Sequence, residues 1–312
     1  MAACAFPSHA QTQAYPTKPI RFLIANAPGG GLDITARVTG PVVSSALGQQ
    51  LIYDNRAGAT GSLAAETTAK SAPDGYTIMV GAIGNLAVNP HLYKGLGYHP
   101  IRDLAPVTFA VSGSNVLVVV PALPVKSVQD LIALLRKQPG AITYGSSGSG
   151  NAGHLAAELF SSMTKTKMVH VPYKGGAPAM TALLSGEVQL VFASPPTAQT
   201  QVKAGRVRAL AVTTLKRSQV LPELPTLAES GLPGFETDNW YGIVAPAKTP
   251  RAVIERLNRE FGRALNMPDI KEALLRTGLE TAPGTPEAFG AYMKSEYEKW
   301  GKVIAEAHIP AN

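Results

Sequence analysis

Short apolar strands alternate with helical segments along most of this chain, and this alternation is the feature that most constrains the fold. The run "IRFLIANA" at residues 20–27 predicts a strand, Pro28 and the glycines after it end that strand, and "ITARVTGPVVSSALG" predicts a helix that ends at Gly48. The strands "QLIYDN" and "YTIMVGAI" follow, with a helix over residues 63–70 between them. Such alternation through short loops is typical of a parallel sheet covered by helices on both faces.

A second unit of the same kind begins at the run "SNVLVVVPALP", and Ser127 is expected to cap its first helix. From Leu221 the chain becomes rich in proline and glycine, which suits a connection that returns to the first unit. We therefore expect one lobe formed by residues 11–110 and 225–312, and a second lobe formed by residues 111–224.

The last predicted helix begins at Pro286, because proline is favoured at the first helical position. One face of this helix is apolar and is formed by Phe289, Met293, Trp300 and Ile304. We expect this face to pack on the first lobe, which gives the domain order one, two, one.

Composition indicates a globular protein. The chain has 312 residues, of which 45% are hydrophobic and 16% are charged, so it can bury two cores. No apolar run approaches the roughly 18 residues that a membrane-spanning helix needs. The net charge of +7 favours acidic partners. The basic residues are scattered and form no known nucleic-acid-binding module, so we expect no nucleic-acid partner.

The N-terminus predicts export from the cytoplasm. Ser8 and Ala10 fit the positions before a signal-peptidase site, so residues 1–10 are interpreted as the end of a signal peptide. A lipoprotein cysteine at Cys4 is the alternative, although the residues before it fit that motif poorly. Cleavage after Ala10 would remove the single cysteine of the chain, and with it disulfides, thiolate catalysis and most zinc sites.

A glycine-rich stretch, "AITYGSSGSGNAGHLAAELF", contains the dinucleotide fingerprint G-x-G-x-x-G at Gly148, Gly150 and Gly153. A nicotinamide site also needs an acidic residue about 20 residues later, and the strand that ends in "HVPYKGG" has none. Lys174 leaves an NADP-binding oxidoreductase as a minor alternative. Two other interpretations of this stretch stay open. It forms a self-contained turn before a helix that begins near Asn151, or it forms a site where free helix amides bind an anion.

A second glycine-rich turn favours the anion site. The stretch "NAPGGGLD" at residues 26–33 occupies the equivalent point of the first unit. Two helix N-termini from two lobes would face each other across a cleft, and their amides could bind a carboxylate without arginine or lysine. Asp33 in this turn is interpreted first as a helix N-cap and second as a ligand contact.

Motifs of enzymes are absent from the sequence. The histidines are His9, His91, His99, His154, His170 and His308. They form no H-E-x-x-H motif, and His154 is interpreted as a rim or surface residue. Ser149 breaks the hydrolase motif G-x-S-x-G, and no G-K-[ST] follows a glycine run. We expect no enzymatic activity, no cofactor and no metal site.

Several ordered motifs together resemble one known family. They read "YPTKPIRFLIANAPGGGLDITAR", "DNRAGATGSLAAETTAKSAPDGYTIMVG", "ITYGSSGSGNAGHLAAELF", "VPYKGGAPAMTALLSGEVQLVF" and "LPTLAESGLPGFE". In order and spacing they are similar to the Bug-type solute receptors of tripartite tricarboxylate transporters, the TctC family. The second family motif usually reads N-R-P-G-A-G-G, whereas residues 55–61 read N-R-A-G-A-T-G here. The loss of the proline and of one glycine is expected to affect only the rigidity of that turn.

The resemblance implies an α/β fold with two lobes, the Venus flytrap of a type II-like periplasmic binding protein, with a ligand cleft between the lobes. It also implies a periplasmic monomer that binds a tricarboxylate, a dicarboxylate, an acidic amino acid or an aromatic acid. Such a receptor would deliver its ligand to membrane permease subunits. A sensory receptor that serves a signalling partner stays open as the alternative.

The expected ligand contacts come from the two glycine-rich loops, which the family uses, and from the ends of strands, where ligands of α/β proteins lie. They are Asn26, Pro28, Gly29, Gly30, Asp33, Asn85, Ser146, Ser147, Gly148, Ser149, Gly150, Asn151, Tyr173, Ser194 and Asp238. Asp238 lies with Asn239 and Trp240 on the returning segment, and for Trp240 packing in the core is equally expected.

Overall fold

The structure is a computed structural model that describes residues 15–306. The predicted cleavage site after Ala10 lies outside the described residues, as do Cys4, His9 and His308. Within residues 15–306, none of the helices is both long and apolar enough to cross a lipid bilayer.

Strands and helices alternate along the chain, as the sequence predicts. The strands are β1 (Ile20–Ile24), β2 (Leu51–Asn55), β3 (Thr77–Ala82), β4 (Leu104–Ser112), β5 (Val116–Val119), β6 (Thr143–Ser146), β7 (Val169–Pro172), β8 (Leu190–Ala193), β9 (Arg208–Val212), β10 (Tyr241–Pro246) and β11 (Glu280–Thr281). The helices are α1 (Gly31–Leu47), α2 (Ser62–Ala69), α3 (Asn89–Leu92), α4 (Pro100–Asp103), α5 (Val128–Lys137), α6 (Ala152–Thr164), α7 (Gly176–Ser185), α8 (Pro195–Lys203), α9 (Arg251–Asn266), α10 (Pro268–Leu275) and α11 (Pro286–Glu306). A 3₁₀ turn covers Ala59–Gly61, and a π-helical turn covers Gly84–Val88.

Two sheets form the two lobes and confirm the two-lobed α/β fold. The first has the strand order β11-β4-β10-β3-β1-β2, and the second has the order β7-β6-β8-β5-β9. Strands β1, β2 and β3 are parallel, as are β6, β7 and β8.

The parallel pairing predicted from the first three strands is confirmed, but neither sheet is parallel throughout, because β10 and β5 run antiparallel to their neighbours. Both are the first strands after the chain crosses between the lobes. Each therefore starts at the cleft, where the parallel strands end, and runs away from it.

Local signals set several helix ends. Gly48, in the left-handed conformation, ends α1 as predicted. Ser127 Oγ accepts the N–H of Asp130 at 3.0 Å, which confirms the predicted cap of α5. The prediction that Asp33 is the N-cap of α1 is wrong. The N-cap is Gly30, and Asp33 lies in the first turn of a helix that begins three residues earlier than expected.

The core of the first lobe includes the apolar face of the last helix. Phe289, Met293, Trp300 and Ile304 are all buried there, as the sequence predicts. Trp240 is also completely buried, and its Nε1 donates to Glu296 Oε2 at 3.2 Å. Trp240 is therefore a core residue.

The two lobes are joined by crossing segments that lie side by side. Gly113 and Asn239 exchange N–H···O bonds of 3.1 Å in both directions. The core of the second lobe includes three residues that precede Asn239 in the chain, Leu227, Leu232 and Phe235. We therefore propose that the returning chain leaves the second lobe near residues 236–240, later than the sequence-predicted boundary at 224/225.

The lobes are closed on each other. Ala152 and Leu155 of α6, in the second lobe, are buried in the core cluster of the first lobe. A Cβ atom on Gly150 would lie only 2.9 Å from Leu92 Cδ1 across the cleft. This close approach defines the cavity between the lobes.

Candidate functional site

A small, largely polar cavity lies between the lobes, where the parallel strands of both sheets end. Its volume is about 40 Å³. The polar side chains in its wall are those of Asn26, Asn115, Ser147, Asn151, Ser194, Thr197, Asn239 and Tyr241. Among the described residues, none with a charged side chain and no histidine lines this cavity. Hydrogen-bonding groups in it are therefore neutral.

Helix N-termini from both lobes reach the cavity wall. Gly31 of α1 lines it from the first lobe, and Ala152 of α6 and Gly176 of α7 line it from the second. The first amides of a helix have no partner within that helix, and its N-terminus carries about half a positive charge. The cavity thus faces several positive dipole ends without a cationic side chain.

Helix α8 contributes differently. Ser194 is its N-cap and lines the cavity, but Pro195 and Pro196 have no N–H group. The N–H of Thr197 donates to the Ser194 carbonyl at 3.1 Å. This terminus therefore offers hydroxyl groups and a dipole rather than free amides.

The glycine-rich loop before α6 is held in place by two histidines. The N–H of Gly150 donates to His154 Nδ1 at 3.1 Å. Ser146 Oγ lies 2.6 Å from His170 Nε2 and accepts the N–H of Gly148 at 3.2 Å. These contacts hold the loop in place from the interior of the second lobe.

Burial keeps both of these histidines neutral. Burial, with His170 adding a smaller effect, lowers the pKa of His154 to about 3, and burial lowers the pKa of His170 to about 4. The interpretation of His154 as a rim or surface residue is wrong, because only 6% of it is exposed. A neutral Nδ1 is what allows His154 to accept the Gly150 amide.

Five of the residues expected at the ligand line the cavity. They are Asn26, Gly30, Ser147, Asn151 and Ser194. Three more, Gly148, Ser149 and Tyr173, line an adjoining space of about 200 Å³ that we call the outer cleft. The two spaces share Ala25, Asn26, Ser147 and Asn151 in their walls.

The remaining expected contacts lie outside both walls. Pro28 and Gly29 are exposed on the loop before α1. Ser146 and Gly150 are buried in the second glycine-rich loop and position it.

Asp33 and Asn85 also lie outside both walls, where they brace the first lobe. Asp33 accepts hydrogen bonds from Gly29 N, Arg37 Nε and Asn55 Nδ2 at 2.9–3.0 Å. Asn85 is 1% exposed, accepts the N–H of Ala82 at 3.2 Å and donates to the Thr60 carbonyl at 3.4 Å.

Asp238 lies at the crossing segments and does not reach the cavity. Burial raises its pKa to about 6, although the backbone N–H groups of Gly113 and Asn239 partly offset this rise. Within residues 15–306, its Oδ1 has no hydrogen-bond partner.

The crossing segments bring two asparagines to the cavity. Sequence reasoning missed Asn115, whereas it placed Asn239 on the returning segment beside the cleft. Asn115 is 1% exposed, and its Nδ2 has no hydrogen-bond partner in the part of the chain that the structure describes. Asn239 Nδ2 donates to Tyr241 Oη at 3.0 Å. Their position depends on the crossing of the chain between lobes, and the only local signal was that polar residues flank β5 and β10.

The fold and the interlobe cavity can be compared with known proteins. The family model described as "Tripartite tricarboxylate transporter family receptor", TctC, matches residues 35–309. The chain belongs to the TctC receptor family. The resemblance found in the sequence motifs is thereby confirmed, and BugT from Bordetella pertussis is 35% identical over 98% of this chain and 93% of its own length.

Solved structures agree with this family. Rpa4515 from R. palustris, determined with adipate, has a TM-score of 0.92 and 38% identity, and the match covers 95% of this chain and 99% of that one. MatC from Rhodopseudomonas palustris, with bound malate, has a TM-score of 0.88 and 28% identity, and the match covers 93% and 100%. Among the described residues of this TctC-family chain, no group of three or more His, Cys, Asp or Glu could hold a metal ion.

Proposed function

We propose that this protein is a periplasmic receptor that binds a small carboxylate between its lobes and delivers it to a tripartite tricarboxylate-type permease. The observation that carries this proposal is the cavity that several helix N-termini reach and that, among residues 15–306, no charged side chain lines. Such a cavity favours an anion, because the dipole ends are positive and free amides donate hydrogen bonds. It disfavours a buried cation, which no carboxylate in its wall would pair.

Hydrogen bonds from amides and hydroxyls are strong enough for this function. A hydrogen bond to a charged group contributes about 1.5–3 kcal/mol. A few such bonds, less the costs of desolvation and closure, account for about −8 kcal/mol, which corresponds to micromolar affinity.

Asn115 supplies a further donor in this proposal. Its unpartnered Nδ2 would bind an oxygen of the ligand, because a buried N–H without an acceptor costs about 1–3 kcal/mol. Asp33 is unsuited to pairing with the amine of an amino acid, since its carboxylate is engaged by three donors outside the cavity. We therefore favour a carboxylate without an amino group.

The bound ligands of two relatives support the same class. Rpa4515 was determined with adipate and MatC with malate, both of which are dicarboxylates. Dicarboxylates of four to six carbons are the first compounds to test.

The test is a thermal-shift screen followed by calorimetric titration. The compounds are malate, adipate, a tricarboxylate, glutamate, an aromatic acid and NADP, and the control for adipate is its uncharged diamide. A clear rise in Tm with a carboxylate, but not with the diamide, is expected. A shift with NADP alone, or equal binding of the diamide, would contradict the proposal.

A further inference from the structure

Two residues in the turn before α2 have a backbone conformation that suits glycine. Ala59 has a φ of 45° and Thr60 a φ of 54°, both in the left-handed region. This region is unfavourable for residues with a Cβ atom, and a β-branched residue such as threonine is rare there. A strained conformation persists only where its surroundings fix it.

The surroundings of Thr60 do fix it. Its carbonyl oxygen lies 3.4 Å from the amide nitrogens of both Asn85 and Asn89, which donate to it. Its methyl group faces the backbone of Gly84, where an added Cβ would lie only 2.9 Å from Thr60 Cγ2. The Thr60 side chain is thus held between the π-helical turn of its own lobe and the opposite lobe.

The hydroxyl of Thr60 bonds across the cleft. Thr60 Oγ1 donates to the carbonyl of Ser149, in the glycine-rich loop of the other lobe, at 2.6 Å. Tyr93 Oη donates to the same carbonyl at 3.2 Å. Two hydroxyls of the first lobe therefore converge on one carbonyl of the second lobe, and moving the lobes apart would break both bonds.

We propose that Thr60, with Tyr93, is a latch that stabilises the closed state and thereby sets the affinity for the ligand and slows its release. This inference rests on the proposed function. Thr60 does not line the cavity, although Thr60 and Tyr93 both line the outer cleft beside it. We assign Thr60 to closure because its hydroxyl bonds to Ser149 of the opposite lobe. One neutral hydrogen bond that forms only on closure shifts the ratio of closed to open molecules by about fivefold.

The decisive variant is Thr60→Gly, which removes the hydroxyl and also relieves the left-handed strain. The Tm of the ligand-free variant should equal or exceed that of the wild type. Its Kd for adipate should nevertheless rise about fivefold, with most of the change in the dissociation rate. Thr60→Ser keeps the hydroxyl and should bind as the wild type does, and Tyr93→Phe should weaken binding less than Thr60→Gly.

Lys165→Gly is the matched control. Lys165 has the same φ of 54° but is exposed at the end of α6, so this variant relieves strain without touching the cleft. Its Tm should rise and its affinity should not change. Wild-type affinity in Thr60→Gly, or equal loss in Thr60→Ser, would overturn the latch.

A second readout separates the latch from the proposed function. Small-angle scattering measures the radius of gyration of the ligand-free protein, which should be larger in Thr60→Gly than in the wild type. If adipate does not bind the wild type, the choice of ligand is wrong, but the latch is still tested. A radius of gyration that is the same in Thr60→Gly and the wild type would overturn the latch.

Discussion

At the scale of single residues, Asn115 is the side chain whose surroundings most require a ligand. It is buried, it lines the cavity, and its Nδ2 donates to no atom of the described residues. Neighbouring Asn239 differs because Tyr241 accepts its N–H group. The cavity therefore combines one unused side-chain donor with the free amides of the helix termini.

Replacing Asn115 separates stability from binding. Asn115→Ala removes an unsatisfied buried donor, so the ligand-free protein should be as stable as the wild type or slightly more stable. Its Kd for a carboxylate should rise about tenfold or more, because a hydrogen bond to a charged group is lost. Asn115→Asp should bind still more weakly because the two charges repel each other. Calorimetric titration measures this, with the exposed Asn266→Ala as the control, and unchanged affinity in Asn115→Ala would exclude the contact.

Gly150 provides a residue-scale test of closure. A side chain at this position would meet Leu92, Asn89 and Val88 of the opposite lobe within 3.3 Å, and its φ is +86°. Gly150→Leu should therefore hold the lobes apart and weaken carboxylate binding at least a hundredfold. Gly140→Leu is the matched control, since Gly140 has a φ of +76° but no atom within 4 Å of an added Cβ. Both variants should lose similar stability to backbone strain, and equal binding by both would contradict the closed-lobe model.

At the scale of elements, local signals were readable from the sequence and long-range ones were not. The end of α1 at Gly48, the cap of α5 at Ser127 and the buried face of α11 all depend on residues close together in the chain. The direction of β5 and β10 depends on how the chain crosses between lobes.

The glycine-rich loops illustrate the same division within the site. Their place at helix N-termini was predictable, and Gly30 and Ser147 do line the cavity. Their internal bonding was not predictable. Gly150 donates to His154, a residue in the first turn of α6, and Asp33 accepts the N–H of Gly29. Both residues stabilise the loops from the protein side instead of facing the cavity.

Two histidines, His154 of α6 and His170 of β7, predict that the protein loses stability in acid. The folded protein holds His154 and His170 with pKa values of about 3 and 4, well below the 6.5 of an unfolded histidine. Between pH 6.5 and 4 the unfolded chain therefore binds protons that the folded chain does not, so the free energy of unfolding falls as the pH falls. Urea denaturation at pH 7 and pH 5 measures this, and His170→Gln should make the decrease smaller.

Asp238 has the opposite effect on the pH dependence of stability, and a variant at this position provides a second test. Its pKa of about 6 in the folded protein lies above the ordinary value of 3.8, so its contribution to stability increases as the pH falls from 6 to 4. Asp238→Asn should remove that contribution. The variant should lose more stability than the wild type on acidification, and a smaller loss would contradict the raised pKa of Asp238 in the folded protein.

At the scale of the whole molecule, the ligand is expected to couple two lobes that have separate cores. The cavity walls come from both lobes, so a ligand that fills the cavity favours the closed state by its difference in affinity for the two states. The crossing segments, paired through Gly113 and Asn239, are the covalent connection about which the lobes would move.

Tryptophan fluorescence can measure this coupling. The chain has two tryptophans, Trp240 and Trp300, and both are buried in the first lobe. At a hundred times Kd, a ligand stabilises the folded protein by about 2.7 kcal/mol. The midpoint of unfolding, followed by tryptophan fluorescence, should therefore rise in the wild type when ligand is added. In Gly150→Leu, whose substitution lies in the second lobe, the midpoint should stay where it was without ligand, because an open cleft cannot transmit stabilisation to the first lobe. A full rise in that variant would mean that the first lobe binds the ligand alone, and the two-lobed site would have to be abandoned.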